Sequence, residues 1–272
     1  MRTVFITGIN RGLGRHLAEQ VLEAGGRVAG TTRDLRQIED LRSDRLLPLS
    51  LDLTDFPAID SALEAAVQAF GRIDAVISNA GYSLMGAAEE LSYEAMKHIL
   101  DTNLLGSIWL ARAAVPRLRA QGGGRIIQVS SSSGQTGFPG LSLYCASKWG
   151  IEGFFESLAP EVAPFGIETT LVEPGAIRTR FADTGVISQP LAVYQGTPAH
   201  HFRELLSGGF VAKGDPARMA RAILASLEQT PAPSRLVLGS DAYAMLTTQL
   251  SARLQQVQDG REIAYSTDYA AP

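Results

Sequence analysis

Short β-branched and aromatic runs alternate with stretches whose apolar residues recur every three or four positions, from the start of the chain almost to its end. The runs at Thr3–Thr7, Arg27–Thr32, Leu46–Leu51, Asp74–Ser78, Arg125–Ser130, Gly166–Val172 and Arg235–Leu238 predict seven strands. Between them, Leu13, Leu17, Val21 and Leu22 mark one helical face, and Ile59, Leu63, Ala66, Val67 and Phe70 mark another over Phe56–Phe70. A long helix is expected over Tyr93–Gln121, ended by Gly122-Gly123-Gly124. A further one, over Leu143–Ala163, carries Trp149, Ile151, Phe154, Phe155 and Leu158 as its apolar stripe. Asp215-Pro216 opens a helix running to about Gln229. Strands alternating with helices predict an α/β fold with one doubly wound parallel sheet of about seven strands and helices on both faces.

Periodicity fails over 180–213, where Gly185, Pro190, Gly196, Pro198, Gly208 and Gly209 interrupt it. So long an irregular stretch inside a compact domain predicts a lid or binding loop. Residues 241–272 are expected as a C-terminal tail, helical at first and then polar. With no repeat and no linker, 1–272 is read as a single domain.

Composition narrows the partners. The net charge of -4 argues against nucleic acid or an anionic membrane surface. No apolar run approaches the ~20 residues that span a bilayer. The lone Cys145 excludes an internal disulfide and fits a reducing, cytoplasmic setting; it reads as a small packing residue. The histidines (His16, His98, His200, His201) show no metal-ligand spacing, so no metal is expected, and His200-His201 reads as a solvated loop pair.

The candidate chemistry gathers at strand ends. Thr3–Thr7 leads directly into Gly8-Ile9-Asn10-Arg11-Gly12-Leu13-Gly14 and a helix, an arrangement that brings backbone N–H groups to a phosphate at a helix N-terminus. At the second strand end stand Thr32 and Arg33 where an acid would select a ribose 2′-hydroxyl; with Arg11 they favour a 2′-phosphate, hence NADP(H) over NAD(H). Asp34 reads as a cap for the next helix. Asp52, at the third strand end, either reaches an adenine amino group or caps with Thr54 and Asp55. Asn79-Ala80-Gly81 makes a tight turn at the fourth strand's carboxyl edge. Asn103, in mid-helix, is either a solvated or capping residue or part of a water and proton path. Tyr144 and Lys148, four apart on a helix, share a face. The ammonium is expected to lower the phenol's pKa from its usual ~10 and make it a general acid/base. Ser131 would bind the same oxygen that Tyr144 protonates.

Thr7-Gly8-x-x-x-Gly12-x-Gly14, Asn79-Ala80-Gly81, Asn103, Ser131, Tyr144-x-x-x-Lys148 and Pro174-Gly175, in this order and spacing, resemble the short-chain dehydrogenase/reductase family over nearly the whole length. The resemblance implies a Rossmann-type fold and hydride transfer between a nicotinamide and a ketone, aldehyde or secondary alcohol. It implies that Tyr144 is the acid/base and that Ser131 holds the substrate oxygen. Lys148 would bind the nicotinamide ribose, and Asn103 would hold a relay water. The glycine loop would hold the pyrophosphate, Asp52 and Leu53 would lie beside adenine, and Ile177 and Thr179 near the carboxamide. It matches Arg11 and Arg33 to NADP preference, and implies a homodimer or homotetramer burying the Asn103 and Tyr144 helices. Ser78 stands where the family often has a second asparagine. Among Ser130-Ser131-Ser132-Ser133, spacing favours Ser131, with Ser133 as the alternative. Phe181, Leu191, Phe202, Leu206 and their neighbours suit a hydrophobic substrate, or a lid closing on itself. A 3-oxoacyl-thioester reductase is the rival enzyme, and an NADP-binding regulator the rival outside enzymes.

Overall fold

The computed structural model describes residues 2–41, 43–179 and 185–269. Its central sheet contains β1 (Thr3–Thr7), β2 (Arg27–Thr32), β3 (Leu46–Ser50), β4 (Ala75–Ser78), β6 (Gly124–Val129), β7 (Ile167–Pro174) and β9 (Arg235–Leu238). All pairings are parallel, in the order β3-β2-β1-β4-β6-β7-β9. Every strand therefore ends on the same edge, and the order reverses between β1 and β4, the switch point where ligands of such sheets bind.

Alternation along the strands divides the core in two. Phe5, Val76 and Ile126 point to one face and pack with α2 (Phe56–Phe70), α4 (Gly106–Ala120) and α5 (Ser142–Val162), through Ile59, Leu63, Leu110, Ile151 and Phe155. Val4, Ile6, Ile77 and Ile127 point to the other and meet α1 (Gly12–Glu23) and α7 (Pro216–Ser226) through Leu17, Val21 and Ile223. These helices start where the chain supplies caps: the Asp55 carboxylate accepts from the Ala58 amide at 3.2 Å, and Asp215 accepts from the amides of Ala217 and Arg218 at 2.9 and 3.1 Å.

Two expectations need correction. The helix predicted over 93–121 is broken into α3 (Tyr93–Leu100), a π-turn over Asp101–Leu105, and α4. The wider turn coincides with Asn103, whose side chain leaves the helix to bind a neighbouring loop. At Gly106, where regular helix resumes, an added Cβ would stand 2.7 Å from the Leu53 carbonyl oxygen, so only glycine allows this approach.

The segment expected to lack regular structure is partly ordered. Residues 180–184, including Phe181, lie outside the described residues. Beyond them β8 (Val186–Ile187) pairs in parallel with β5 (Leu84–Met85), and α6 spans Pro198–Ser207. His200 and His201 are therefore helical, capped by the Thr197 hydroxyl, which accepts from the His200 amide at 3.5 Å. A β-pairing that joins residues 102 apart leaves no local signal in a two-residue strand.

The tail forms α8 (Ser240–Asp259) and α9 (Arg261–Ser266). Asp241, at its start, accepts from the Ala176 amide at 2.8 Å. Further along, Arg253 donates to the Gln135 carbonyl at 2.7 Å and lies over the Trp149 ring, 4.6 Å from its centroid.

Candidate active site

Three glycines shape the loop after β1, each for its own reason. Gly8 (φ +74°) and Gly12 (φ +56°) adopt left-handed backbone that side chains disfavour. At Gly14 the constraint is space: a Cβ would lie 2.2 Å from the Gly8 carbonyl oxygen and 2.4 Å from Asn79 Nδ2. Arg11 precedes α1 without a side-chain cap, and the first turn holds no acid. Ile9 is sunk in the core and Leu13 is buried with it. Asn10 donates to Gln37 at 2.6 Å.

Across the switch point, Asn79 donates to the carbonyls of Thr7 and Gly8 at 2.9 and 3.3 Å. The Thr7 hydroxyl accepts from the amides of Asn79 and Ala80, both at 2.9 Å. The ends of β1 and β4 are thus laced together. A Cβ on Gly81 would stand 3.1 Å from Asn103 Oδ1 and 4.0 Å from Lys148 Nζ, so this turn lies directly over the lysine. Asn103 is buried; its Oδ1 accepts from the Tyr82 amide at 3.1 Å and its Nδ2 donates to the Tyr82 carbonyl at 2.8 Å. It therefore anchors the loop behind Gly81 by both backbone groups of one residue.

At the second strand end, Thr32 is buried, its hydroxyl within 3.3 Å of the Asp34 amide. Asp34 accepts from Arg36 Nε and Nη2, both at 2.9 Å, and from the Arg36 amide at 3.1 Å, which is the capping role expected of it. Arg33 is exposed and close enough to Asp52 to help stabilise its charge. Burial works against the Asp52 carboxylate, but the Thr54 amide and hydroxyl, at 2.9 and 2.7 Å, outweigh it and hold Asp52 below its ordinary value. Leu53, expected beside a base, turns its side chain into the core.

The loop after β7 closes the edge. A Cβ on Gly175 would fall 2.2 Å from Asp241, and the Gly175 amide donates to Leu238 O at 2.8 Å after Pro174 ends the strand. Ile177 bridges to Gly214, and Thr179 approaches Gly12, where an added Cβ would meet its Cγ2 at 3.3 Å.

The serine run resolves by partner. Ser131 hydrogen-bonds Tyr144, and its Oγ also accepts from the Ser133 amide at 3.1 Å. Ser130 donates to Glu152 at 2.6 Å, and Ser133 is bonded to Cys145. Ser131, not Ser133, is thus the hydroxyl beside the phenol. Lys148 is buried, donates to the Val129 carbonyl at 3.0 Å, and has its Nζ 5.8 Å from the centre of the Tyr144 ring.

The electrostatics reverse one expectation. Burial pushes the Tyr144 phenol up to about 12, only partly opposed by the Ser131 bond. It pushes Lys148 down to about 8, with the nearby Glu152 charge opposing. Spacing alone predicts that the ammonium lowers the phenol, but desolvation acts on both groups and dominates the shift of each. Cys145 is buried and its thiol raised by the same cause, in keeping with a packing role.

Glu152 is a participant that sequence reasoning passes over. Its carboxylate accepts a hydrogen bond from the Ser130 hydroxyl on one oxygen and from Arg235 Nη1 at 2.7 Å on the other; Arg235 also binds Glu173. Its spacing from Lys148, one turn further along α5, is the available signal. Nothing local marks the contribution of Asp241, whose contact with Ala176 spans 65 residues.

Glycine loop, Asn79 turn and Ser131–Tyr144–Lys148 all lie at one carboxyl edge of the sheet. The sequence profile described as short chain dehydrogenase matches residues 2–186. Oxidoreductase BOA17 of Botryotinia fuckeliana is 39% identical over 246 residues, covering 88% of this chain and 89% of its own. Human retinol dehydrogenase 8 is 33% identical, covering 91% and 84%. A short-chain dehydrogenase from Streptomyces avermitilis superposes with a TM-score of 0.92 at 35% identity, over 98% of this chain and 100% of its own. A short chain dehydrogenase from Burkholderia cenocepacia, solved with NADP, gives 0.74 at 25% identity over 95% and 98%. With a matching profile over two thirds of its length and relatives spanning most of the remainder, this chain belongs to the short-chain dehydrogenase family.

Proposed function

We propose that this protein is an NADP(H)-dependent oxidoreductase that interconverts a hydrophobic ketone or aldehyde and the corresponding alcohol. The observation that carries the reading is the hydrogen bond between Ser131 and Tyr144, made at the carboxyl end of β6 with Lys148 Nζ 5.8 Å from the centre of the Tyr144 ring. A carbonyl oxygen placed between the two hydroxyls would accept from both. Ser131 would hold it, and Tyr144 would pass its phenolic proton to it as charge builds there.

The cradle suits a dinucleotide, because Gly8 and Gly12 hold the left-handed backbone of a tight turn and Gly14 lets the start of α1 close against the Gly8 carbonyl. The N–H groups around Gly12–Gly14 would bind the pyrophosphate at the start of α1. Arg33, with Arg11 in the loop, would take a 2′-phosphate, and the NADP carried by the Burkholderia relative supports this choice. Lys148 would bond the nicotinamide ribose. Bound there, the cofactor supplies a hydride to the carbonyl carbon. The proton from Tyr144 completes the alcohol, and the reverse transfers oxidise it.

Support for a hydrophobic substrate comes from the cluster around Tyr144, where Leu84, Met85, Ile99 and Leu141 are buried together and Phe138, Phe202 and Leu206 pack against them. Exposed Leu105 and Trp149, along the Asn103 and Tyr144 helices, support a homodimer or homotetramer that buries them. Among the described residues, no helix is long and apolar enough to cross a membrane.

Following NADPH and NADH absorbance with a panel of aldehydes, alkyl ketones and secondary alcohols tests the reading. Turnover with NADPH and an apolar carbonyl is expected. Tight NADPH binding with no turnover of any substrate would support the regulator reading instead.

A further inference from the structure

Glu90 ends a single 3₁₀ turn (Ala88–Glu90) on the segment that carries β5, and its side chain is only 2% exposed. One oxygen accepts from the Leu191 amide at 2.9 Å. The other accepts from its own turn at the Ala87 amide (2.8 Å), from the Ser188 hydroxyl (3.3 Å) and from Arg203 Nη2. Arg203 also donates to the Ser188 hydroxyl at 3.2 Å. Three of these four donors, at 188, 191 and 203, belong to the stretch after β8. The carboxylate is therefore covered by that stretch itself rather than sunk in the domain. Burial works against its charge, but the backbone and Arg203 donors outweigh it and keep it ionised.

The neighbouring contacts run the same way. Glu89 accepts from the Tyr194 hydroxyl at 3.0 Å. Gly86 leaves no room for a side chain, since a Cβ would stand 2.1 Å from Ser188 Oγ, and its amide donates to the Gly140 carbonyl just before α5. Residues beside Arg203 on α6 then pack against the apolar cluster that includes Tyr144. Phe202 packs against Phe138 with ring centres 5.7 Å apart, and Leu206 joins the cluster that contains Tyr144.

We propose that Glu90 is a positioning residue: its ion pair with Arg203 and its bond to Leu191 latch the 186–206 segment against the domain, setting the apolar wall that faces Tyr144 and so the fit of a bulky substrate. The latch rests on the reading of the site as a carbonyl–alcohol oxidoreductase only for its effect on substrate. Its effect on the segment is independent of that reading. Two long charged side chains sharing one buried geometry are a costly way to hold a surface loop unless its position matters.

Two variants test this, Glu90→Gln and Arg203→Met, with the double variant beside them. Hydrogen exchange on the full chain reads the latch directly: amides of 188–206, Leu191 first, should exchange about tenfold faster in each variant, while β1 and β4 amides stay as protected as before. With NADPH and a bulky apolar ketone, KM should rise about tenfold with kcat and NADPH affinity little changed, and a small ketone should be affected less. The double variant should be no worse than the more severe single one, because both break one contact. Unchanged exchange over 188–206 in both single variants would overturn the latch. So would a fall in NADPH affinity equal to the rise in KM, which would mark a general structural effect. If the wild type turns over no carbonyl, the reading of the site fails, and hydrogen exchange still decides the latch.

Discussion

Tyr144 and Lys148, one turn apart on α5, are driven in opposite directions by the same burial: the phenol up to about 12, the ammonium down to about 8. A protonated phenol beside a hydrogen-bonded serine is poised to give a proton rather than to take one. Replacing Tyr144 with Phe removes that proton and little volume. Turnover is expected to fall by about 10²–10⁴-fold, the usual contribution of a positioned acid, while NADPH affinity measured by fluorescence changes little. Wild-type rates in this variant would refute the assigned role.

The depressed lysine has a signature in stability. Between about 8 and its ordinary value of 10.5 the unfolded chain binds a proton at Lys148 that the folded chain does not. Stability from this group therefore rises as pH climbs through that window. Above pH 10, Tyr144 acts the other way, since the folded phenol keeps a proton the unfolded one loses. Denaturant melts between pH 7.5 and 10 should show Lys148→Met losing the rising portion that the wild type shows. The full effect is on the order of 3 kcal/mol at most.

Gly14→Ala should cost both stability and cofactor binding. The new methyl would need to stand 2.2 Å from the Gly8 carbonyl oxygen, and backbone on one side and the Asn79 clamp on the other leave it nowhere to go. Overpacking of this kind typically destabilises by about 1–3 kcal/mol. NADPH affinity should fall with it, and calorimetric titration checks this against a melting curve.

Arg33→Leu should separate the two dinucleotides. Removing the exposed guanidinium is expected to raise the KM for NADPH roughly tenfold or more and to leave that for NADH nearly unchanged. An equal loss with both would remove Arg33 from 2′-phosphate recognition. It would leave a role in stabilising the Asp52 carboxylate.

Much of this molecule is legible before any coordinates. Strands as hydrophobic as Thr3–Thr7 and Ala75–Ser78 are buried on both faces of a parallel sheet, so composition alone marks them. Gly8, Gly12 and Gly14 announce a tight turn, and the first two hold left-handed backbone while Gly14 packs against the Gly8 carbonyl. Legibility ends where partners are distant in sequence or where two effects compete. The β5–β8 pairing, the Asp241 cap on Ala176 and the Glu90 cluster each join residues tens of positions apart. Asn103 stands out as a mid-helix oddity, but its π-turn and its grip on Tyr82 arise from tertiary demand. For Tyr144 the charge neighbour is readable and the depth of burial is not, so its shift runs opposite to the one that spacing predicts.

Arg253 ties the far end of the chain to the loop that bears Ser131, through the Gln135 carbonyl and the Trp149 ring. The last long helix is thus a remote brace for the reacting hydroxyl. Shortening the chain before 253, or fusing a bulky tag that pulls α8 away, would loosen the serine loop from outside and dull turnover without touching any residue that meets substrate.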